Sequence, residues 1–264
     1  MIWAVWVVLI LAGAVFLGLA IGRWRARTEL RRLLQEMSTK PWVVKGNLPE
    51  EVRAYAARCG ATGTPSGVYL TQNAEMELSP GAAWQRLLAQ QWIDVTKAGF
   101  VWQARQTKAG LVWLRVIDAY VQRRGQLIVR LLGAIPVVRA KGPEVDVSEA
   151  MRFLAELPWA PDAILANPDL RWAVPAPNVF RVTLHDVSVD LILNKAGDVV
   201  EMRAKDRPAL ENGQLILREW RGVFSDHKTL AGRRIPTRGE VGYMRDGQYQ
   251  PYYRGTVTAY ELRH

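Results

Sequence analysis

The sequence predicts a mainly β protein with a few helices, an α+β fold built on one large, strongly curved antiparallel sheet that a central helix crosses. Runs of β-branched and aromatic residues, separated by glycine-containing turns, recur over most of the chain. No regular alternation of strand and helix patterns is visible, which argues against a parallel α/β sheet. A long apolar stretch at the beginning adds one N-terminal transmembrane helix.

The composition suits one sizeable domain and an anionic partner. With 264 residues, 49% of them hydrophobic, the chain can bury a large core, and we assign residues 48–264 to a single β-rich domain. The 35 Lys and Arg against 25 Asp and Glu give a net charge of +10, which favours a membrane surface, nucleic acid or acidic partners. Because the basic residues are spread over several turns, we expect no nucleic-acid ligand.

Residues 1–22 contain no charged side chain. At about 1.5 Å of rise per residue, a helix of this length just crosses a hydrocarbon core of about 30 Å. A cleaved signal peptide is the alternative interpretation. It lacks support because no basic region precedes the apolar run, which is also longer than the apolar part of a typical signal peptide. The stretch therefore predicts a membrane anchor.

A basic juxtamembrane segment and linker follow at residues 23–47. The segment opens with a cluster of arginines opposed by a single acidic residue, namely Arg23, Arg25, Arg27, Arg31 and Arg32 against Glu29. Positive charges beside a membrane helix stay in the cytoplasm, so the pattern predicts a cytoplasmic domain, with the periplasmic side as the alternative. The arginines also attract anionic head groups, which makes membrane lipid an expected partner.

A short helix is predicted before the sheet, and strands after it. Pro49 suits the first helical position and Gly60 can close the helix. Strand patterns then occupy residues 99–106, 111–121, 126–132, 179–184, 187–191, 199–204, 214–224, 234–244 and 252–262. Residues 84–92 fit either a short helix or a bent strand.

The central helix is predicted over residues 147–157. Asp146 is a suitable N-cap with Glu149 at the capping-box position, and Pro158 ends the helix. Glu149 precedes Arg152 by three residues and Glu156 follows it by four, so the three can meet on one helical face. The plainer interpretation is a surface ion-pair ladder worth about 0.3–0.5 kcal/mol per pair.

The run MRFLAELPWAPDAIL, with LPEEVRAYAARCG, AGFVWQAR and YYRGTVTAYE elsewhere, resembles a family of bacterial proteins catalogued only as a domain of unknown function. The most specific part has the form R-x3-E-x2-W-x-P-x-A and contains Arg152, Glu156, Trp159, Pro161 and Ala163. The resemblance covers nearly everything after Leu48. It implies a protein anchored by a single span in the bacterial inner membrane, and it carries no activity to transfer.

A weaker similarity connects the predicted fold to the half-barrel of periplasmic lipoprotein carriers. That resemblance implies a curved sheet around an apolar cavity, closed by helices, which receives acyl chains. Fold alone does not determine function. These carriers act outside the cytoplasm, whereas the arginines place this domain inside.

Two classes of function follow from these patterns. The first is a non-enzymatic module that binds a lipidic or other apolar ligand on the concave face of the sheet, with the central helix as a lid. Its candidate ligand-binding residues are Trp102, Trp113, Arg152, Glu156, Trp159 and Trp172, although core packing is the usual role of a buried tryptophan. The second class is a membrane-tethered, hydrolase-like enzyme.

In the enzyme interpretation, Glu156 or Asp118 acts as acid or base and Arg152 holds an anionic group. The sequence contains no recognised nucleophile motif, which favours the binding module. Cys59 is the only cysteine, and its spacing from the histidines, His185, His227 and His264, forms no zinc pattern. We therefore expect neither a metal ion nor a cofactor.

Overall fold

The fold is taken from a computed structural model that describes residues 2–37, 48–78, 81–211 and 214–264. The linker predicted around residues 40–47 lies outside the described residues. Within the described ranges, the chain forms one 13-stranded sheet and a small number of helices. The expected mainly β architecture is confirmed.

The sheet is a half-barrel made of two antiparallel meanders. The first meander contains β1 (Gly67–Met76), β2 (Gln85–Asp94), β3 (Phe100–Lys108), β4 (Leu111–Val121), β5 (Arg124–Leu131) and β6 (Ile135–Lys141). The second contains β7 (Leu170–Ala176), β8 (Val179–Leu184), β9 (Val187–Leu193), β10 (Val199–Glu211), β11 (Gln214–Leu230), β12 (Arg233–Arg245) and β13 (Gln248–Arg263). Antiparallel pairing of β1 with β13 joins the two halves at the middle of the sheet.

The helices between the meanders cover the concave face. They are α3 (Pro143–Ala155), a single 3-10 turn (Leu157–Trp159) and α4 (Asp162–Ala166), while α2 (Glu50–Arg58) packs beside α4. Helix α3 contacts β5 of the first meander and both β9 and β10 of the second. Phe153 and Leu154 of α3 are fully buried in the main core. The helix thus bridges the open side of the half-barrel, as the sequence predicts.

Helix α1 (Ile2–Glu36) begins with the predicted apolar span and continues without a break through the arginines. Arg, Leu and Glu are all good helix formers, which explains the continuation. Within the described residues it is the one helix long and apolar enough to cross a membrane, by length and composition. Its second half lies on the convex face, where Leu33 is buried against Val101 and Ile117.

The predicted start of the central helix is wrong. Asp146 is not the N-cap, because the helix already begins at Pro143, with Gly142 as the N-cap. Proline is favoured in the first helical turn, where no backbone donor is needed. The Asp146 carboxylate instead accepts a 2.6 Å hydrogen bond from the backbone nitrogen of Gly125, so it ties the helix to the start of β5.

Two strand assignments are settled by the register. Residues 84–92, which fit either a helix or a strand, form most of β2, and their burial alternates along it. The strand predicted at residues 199–204 continues to Glu211 through a bulge between Ala204 and Arg207. A bulge inserts an extra residue and redirects the side chains that follow.

Candidate functional site

A cavity of about 90 Å³ lies between the end of α3 and the concave face of the sheet. Its walls come from both meanders and from the bridging helices. It is lined by Met76, Trp102, Asp118, Arg152, Ala155, Glu156, Trp159, Arg207, Trp220, Phe224, Gly239, Val241, Tyr252 and Tyr253. The lining combines a large aromatic surface with two arginines and two carboxylates.

Trp159, the tryptophan of the family-like signature, is fixed on the cavity wall. Its indole nitrogen donates a 2.9 Å hydrogen bond to the carbonyl oxygen of Pro236, and its ring packs edge-on against Phe224. A Cβ at Gly239 would lie 3.0 Å from the Trp159 ring, closer than an ordinary van der Waals contact, so the ring would have to shift. The glycine therefore allows the indole to lie directly on β12.

Trp102 and Trp220 stand on opposite halves of the sheet and form two further aromatic walls. The Trp102 indole donates to the side-chain oxygen of Gln72, which also accepts a bond from the Tyr253 hydroxyl. The Trp220 indole donates to the Tyr252 hydroxyl. Burial raises the pKa of both tyrosines well above the ordinary value, so the two hydroxyls stay protonated and neutral.

Arg152 is the centre of a buried ionic network on one side of the cavity. It donates to Asp118 of β4 at 2.5 Å and to Glu156 at 2.9 Å, and its guanidinium lies over the rings of Phe100 and Trp102. Burial alone would lower the pKa of Arg152, but Glu156, Asp118 and Glu149 outweigh it and raise the value. Arg152 and Glu156 lie on one helix face, as the sequence predicts. That face is buried against the sheet, whereas the plainer interpretation expected it to be exposed.

Parts of this network have unused hydrogen-bonding capacity. The Gln91 side chain donates to Glu156, while its own oxygen has no partner within the described part of the chain. The Oδ1 atom of Asp118 is also buried, and it has no hydrogen-bond partner among the described residues. Buried polar groups are normally satisfied, so these atoms mark a place where a ligand or an ordered water can bind.

Arg207 is a second buried arginine at the cavity, and sequence reasoning missed it. The bulge in β10 turns it inward, where its guanidinium stacks 3.9 Å from the centre of the Trp220 ring. Its Nε and Nη1 atoms have no hydrogen-bond partner among the described residues. The nearest carboxyl oxygen belongs to Glu149 of α3, at 3.6 Å. Proline within a strand is typical of bulges, so Pro208 was the available signal.

Glu149 does not act as an ordinary counterion for Arg207. Burial, reinforced by repulsion from Asp118, raises the pKa of Glu149 from 4.5 to about 8. The carboxyl is therefore mostly protonated at neutral pH, and the 3.6 Å contact is a weak one between an acid and a cation. Burial alone would lower the pKa of Arg207, but Tyr243, Tyr252 and Glu149 together raise it, so the guanidinium stays charged although no carboxylate hydrogen-bonds to its Nε or Nη1 within the described residues. The ion-pair contact of Glu149 is with Arg207, and Glu149 acts on Arg152 only at longer range, by raising its pKa.

The structure brings together most of the candidate residues and separates two of them. Trp102, Asp118, Arg152, Glu156 and Trp159 all line the cavity. Trp113 does not line it. It stands on the convex face, 42% exposed, beneath the amine of Lys108. Odd and even positions of β4 face opposite sides, so Trp113 and Asp118 cannot share a site.

Trp172 also lies away from the cavity. It is on β7, the edge strand of the second meander, and packs partly buried against the main core. Its indole nitrogen has no partner within the ranges that the structure describes. The cavity aromatics that sequence reasoning missed are Trp220, Phe224, Tyr252 and Tyr253, which come from β11 and β13. Their contribution depends on the pairing of distant strands, which no local pattern reveals.

The described residues contain no group of three or more His, Cys, Asp or Glu side chains that could hold a metal ion. The single cysteine, Cys59, is buried beside Tyr55, and burial raises the pKa of its thiol. The site is therefore made of aromatic surface, two buried arginines and carboxyl groups.

Fold and site together define an antiparallel half-barrel with a small aromatic cavity that also contains two buried arginines and two carboxylates. A family model matches residues 43–255, so the chain belongs to the family of unknown function DUF6544. None of the curated proteins matches it.

Two solved structures resemble the chain at low sequence identity. One is a LolA superfamily protein from Nitrosomonas europaea, with 12% identity, 81% of this chain and 93% of that chain covered, and a TM-score of 0.47. The other is a DUF1329 family protein from Desulfovibrio piger, with 11% identity, 81% and 94% covered, and a TM-score of 0.49.

Proposed function

We propose that this protein is a membrane-anchored binding module that takes an apolar or lipidic ligand bearing an anionic group. In this proposal the domain spans residues 48–264, and the ligand enters the cavity between α3 and the concave face. The apolar part lies against the aromatic walls, and the anionic group pairs with Arg207. Arg152 and Glu156 hold the bridging helix in register with the sheet.

The observation that carries the proposal is the unmatched charge of Arg207. Its guanidinium is almost fully buried, and two of its nitrogens have no hydrogen-bond partner within the described residues. A buried charge without a partner is strongly unfavourable unless something else compensates it. Because burial raises the pKa of Glu149 and so weakens its charge at neutral pH, an anionic group of a ligand would give Arg207 a stronger counterion than Glu149 does.

The size of the cavity determines how the ligand has to bind. At about 90 Å³ it is well below the roughly 300–1,000 Å³ that is usual for small-molecule sites, so it takes a head group or a chain end in this conformation. A longer chain requires α3 to move away from the sheet. Gly142, with a φ of 128°, precedes the helix, and Pro158 follows it, so both ends provide positions where the backbone direction changes.

Helix α1 supplies the anchor in this proposal. Its first 20 or so residues are apolar and exposed, and the arginines follow on the same continuous helix. The positive charges favour a cytoplasmic domain. An alkaline phosphatase fusion after His264 tests this orientation, since the enzyme is active only outside the cytoplasm. An active fusion would put the domain on the periplasmic side.

Ligand binding is tested on the full-length protein purified in mild detergent. Native mass spectrometry should detect a bound anionic amphiphile, and titration with a short-chain phosphatidylglycerol should saturate. The Arg207→Gln variant should lose both signals, whereas Arg207→Lys should retain part of the binding.

The matched control is Arg203→Gln, which changes an arginine of the same strand that is paired with Glu201 in an exposed position. It should bind like the wild type. Binding by Arg207→Gln at the wild-type level would contradict the proposal, as would a wild-type protein that neither carries nor binds an amphiphile.

A second candidate function is a membrane-tethered hydrolase. The observation in its favour is the unpartnered oxygen of Asp118, which faces the cavity beside Arg152. In that scheme Asp118 or Glu156 activates water, and an arginine holds the anionic substrate. Hydrolysis of ester or phosphodiester probes that disappears in both Asp118→Asn and Glu156→Gln would favour this function over simple binding.

A further inference from the structure

The end of the half-barrel next to α1 carries a cluster of exposed apolar side chains. They lie on β4 and on the edge strand β6, beside the turns that join β3 to β4 and β5 to β6. We call this the hairpin-tip surface, and it consists of Leu111, Trp113, Ile135, Val137 and Val138. Isolated exposed apolar residues are ordinary, but a contiguous apolar surface usually marks a contact site.

The hairpin-tip surface is located where the apolar part of α1 ends. Gly22 of α1 packs so closely on the β5–β6 turn that an added Cβ would lie 2.8 Å from the Cβ of Ala134. The next residue, Arg23, donates a 3.1 Å hydrogen bond to the carbonyl oxygen of Leu132 in the same turn. If residues 2–21 span a membrane, these contacts hold the tips at its surface.

Three arginines form a row directly beside the tips. Arg105, Arg115 and Arg130 are exact cross-strand neighbours on β3, β4 and β5, and we call them the arginine ladder. Like charges directly opposite one another destabilise a sheet. The row therefore does not stabilise the sheet by itself.

Helix α1 adds further positive charge to the ladder. Burial, together with Arg27, Arg105, Arg130 and Arg23, lowers the pKa of Arg115, which places all these arginines around it. The acidic side chain paired with the ladder is Glu29, which binds Arg130. Arg115 donates to Gln103 at 2.7 Å.

Two donors of the ladder lack a hydrogen-bond partner. Arg115 Nε and Arg130 Nη1 are buried and have no hydrogen-bond partner in the part of the chain described. Arg130 is almost completely buried and pairs with Glu29, so the exposed Arg105 and the half-buried Arg115 are the members of the ladder that a head group can reach. Guanidinium groups bind phosphate oxygens in a bidentate manner, so the ladder has the chemistry of a site for phosphate-bearing head groups.

We propose that the hairpin-tip surface and the arginine ladder together dock on an anionic lipid surface. This inference rests on the proposed membrane anchor. The apolar tips enter the interface, where Trp113 is suited to the boundary between water and hydrocarbon. Phosphate groups of the lipids bind the ladder, about two residues, or roughly 7 Å, further along the strands. The half-barrel then has a fixed orientation on the membrane instead of hanging from a loose tether.

A lipid surface accounts for the combination of the apolar hairpin-tip surface with the arginine ladder better than an acidic protein does. Apolar side chains flanked by arginines are the pattern of interfacial membrane contacts. The cytoplasmic leaflet is also rich in anionic lipid and attracts basic residues by about 1 kcal/mol each. Contact between two copies of the chain is the competing outcome of the test.

The test places an environment-sensitive nitrobenzoxadiazole label on the tips of the full-length protein in vesicles. Leu111→Cys, 63% exposed, carries the label in a Cys59→Ala background. Leu217→Cys is the matched control, since Leu217 is a 60% exposed strand leucine that lies near Pro143 and Glu144, at the opposite end of the strands from the tips. Vesicles contain phosphatidylcholine alone or with phosphatidylglycerol, and lipid-borne nitroxide serves as quencher.

The label at residue 111 should shift to the blue and be quenched strongly by the nitroxide, and the label at 217 should do neither. Quenching at 111 should increase when phosphatidylglycerol is present. Arg115→Gln should remove that increase, while its thermal stability should equal or exceed that of the wild type because a like-charge contact is lost. Arg203→Gln should keep the increase.

Resistance to carbonate extraction, measured on the same vesicles, tests the anchor separately. A protein that resists extraction but shows no quenching at 111 would overturn this inference and leave the anchor in place. A protein that is extracted would overturn the anchor. A blue shift that appears in detergent and grows with protein concentration would assign the tips to contact between copies, and would also overturn the inference.

Discussion

Arg152 of α3 donates a 2.5 Å hydrogen bond to Asp118 of β4, so the bridging helix is joined to the first meander by a buried ion pair. The same guanidinium binds Glu156 at 2.9 Å. Removing one member of such a pair leaves an uncompensated buried charge, which is more harmful than removing the entire pair.

Replacement of Arg152 by Met should destabilise the fold strongly. The change keeps an unbranched side chain but leaves Asp118 and Glu156 buried without their cation, and we expect the free energy of unfolding to fall by about 3–5 kcal/mol. Urea denaturation of the full-length protein in micelles, followed by circular dichroism, measures this. Arg203→Met is the control, since it removes a more exposed pair worth about 0–1 kcal/mol. Equal losses in the two variants would refute the structural role of Arg152.

Glu149 should make the protein less stable as the pH rises. Its pKa is about 8 in the folded protein, against an ordinary value of 4.5. Between these values the folded state keeps a proton that the unfolded state has released, so its stabilising effect is complete below about pH 4.5 and is lost as the pH approaches about 8. The measurement is the free energy of unfolding across this range.

Glu149→Gln should remove this part of the pH dependence: it should match the wild type near pH 4.5 and be more stable than the wild type near pH 7, because the glutamine enters the core without first having to bind a proton. Glu144→Gln, at an exposed position of the same helix, should leave the dependence in place. An unchanged slope in Glu149→Gln would show that this carboxyl is ionised throughout.

Gly239→Ala should destabilise the cavity wall by about 1–3 kcal/mol, because the added methyl group would press against the Trp159 ring at 3.0 Å. Trp159→Phe should lose about 1 kcal/mol from the hydrogen bond to Pro236, in addition to the packing change. The double variant tests whether the effects are coupled: the smaller ring makes room for the methyl group, so the combined loss should be less than the sum. Full additivity, measured by thermal or urea unfolding, would rule out this contact as the cause.

Cys59 should resist modification in the folded protein. Its side chain is only 3% exposed and burial raises the pKa of the thiol, so both access and thiolate population are low. Iodoacetamide should modify it at a useful rate only after denaturation. Rapid modification under native conditions would mean that α2 opens readily from the core.

Much of the fold follows from sequence patterns, and the reasons are local. The burial of β8 alternates along the strand, and the turn before β4 contains Gly110, so the existence and type of such strands are predictable. The helix start was not predictable in the same way. Asp146 has the chemistry of an N-cap, but its carboxylate binds the backbone of Gly125, a contact made across the sheet.

The sequence predicts the site residues that belong to one segment of the chain. It does not predict those that reach the cavity only through the pairing of several strands. Arg152, Glu156 and Trp159 stand close together in the sequence and also in the cavity. The prediction of Trp113 as a ligand-binding residue rests on its residue type alone. The alternation of side chains along β4 places Trp113 and Asp118 on opposite faces of the sheet. Arg207 reaches the cavity only because a bulge in β10 changes its direction, and the register of that bulge is set by pairing with β11.

The pairing of β1 with β13 determines when this fold can be completed. The first meander can form while the remaining strands are still being synthesised, but one edge of β1 has no neighbour until β13 arrives from the other end of the β-rich region. Such a long sequence separation slows folding, and an unpaired edge invites association with other chains. Translation of β13 is therefore the step at which the nascent protein loses its exposed central edge, and a truncation before Gln248 would leave both meanders permanently open there.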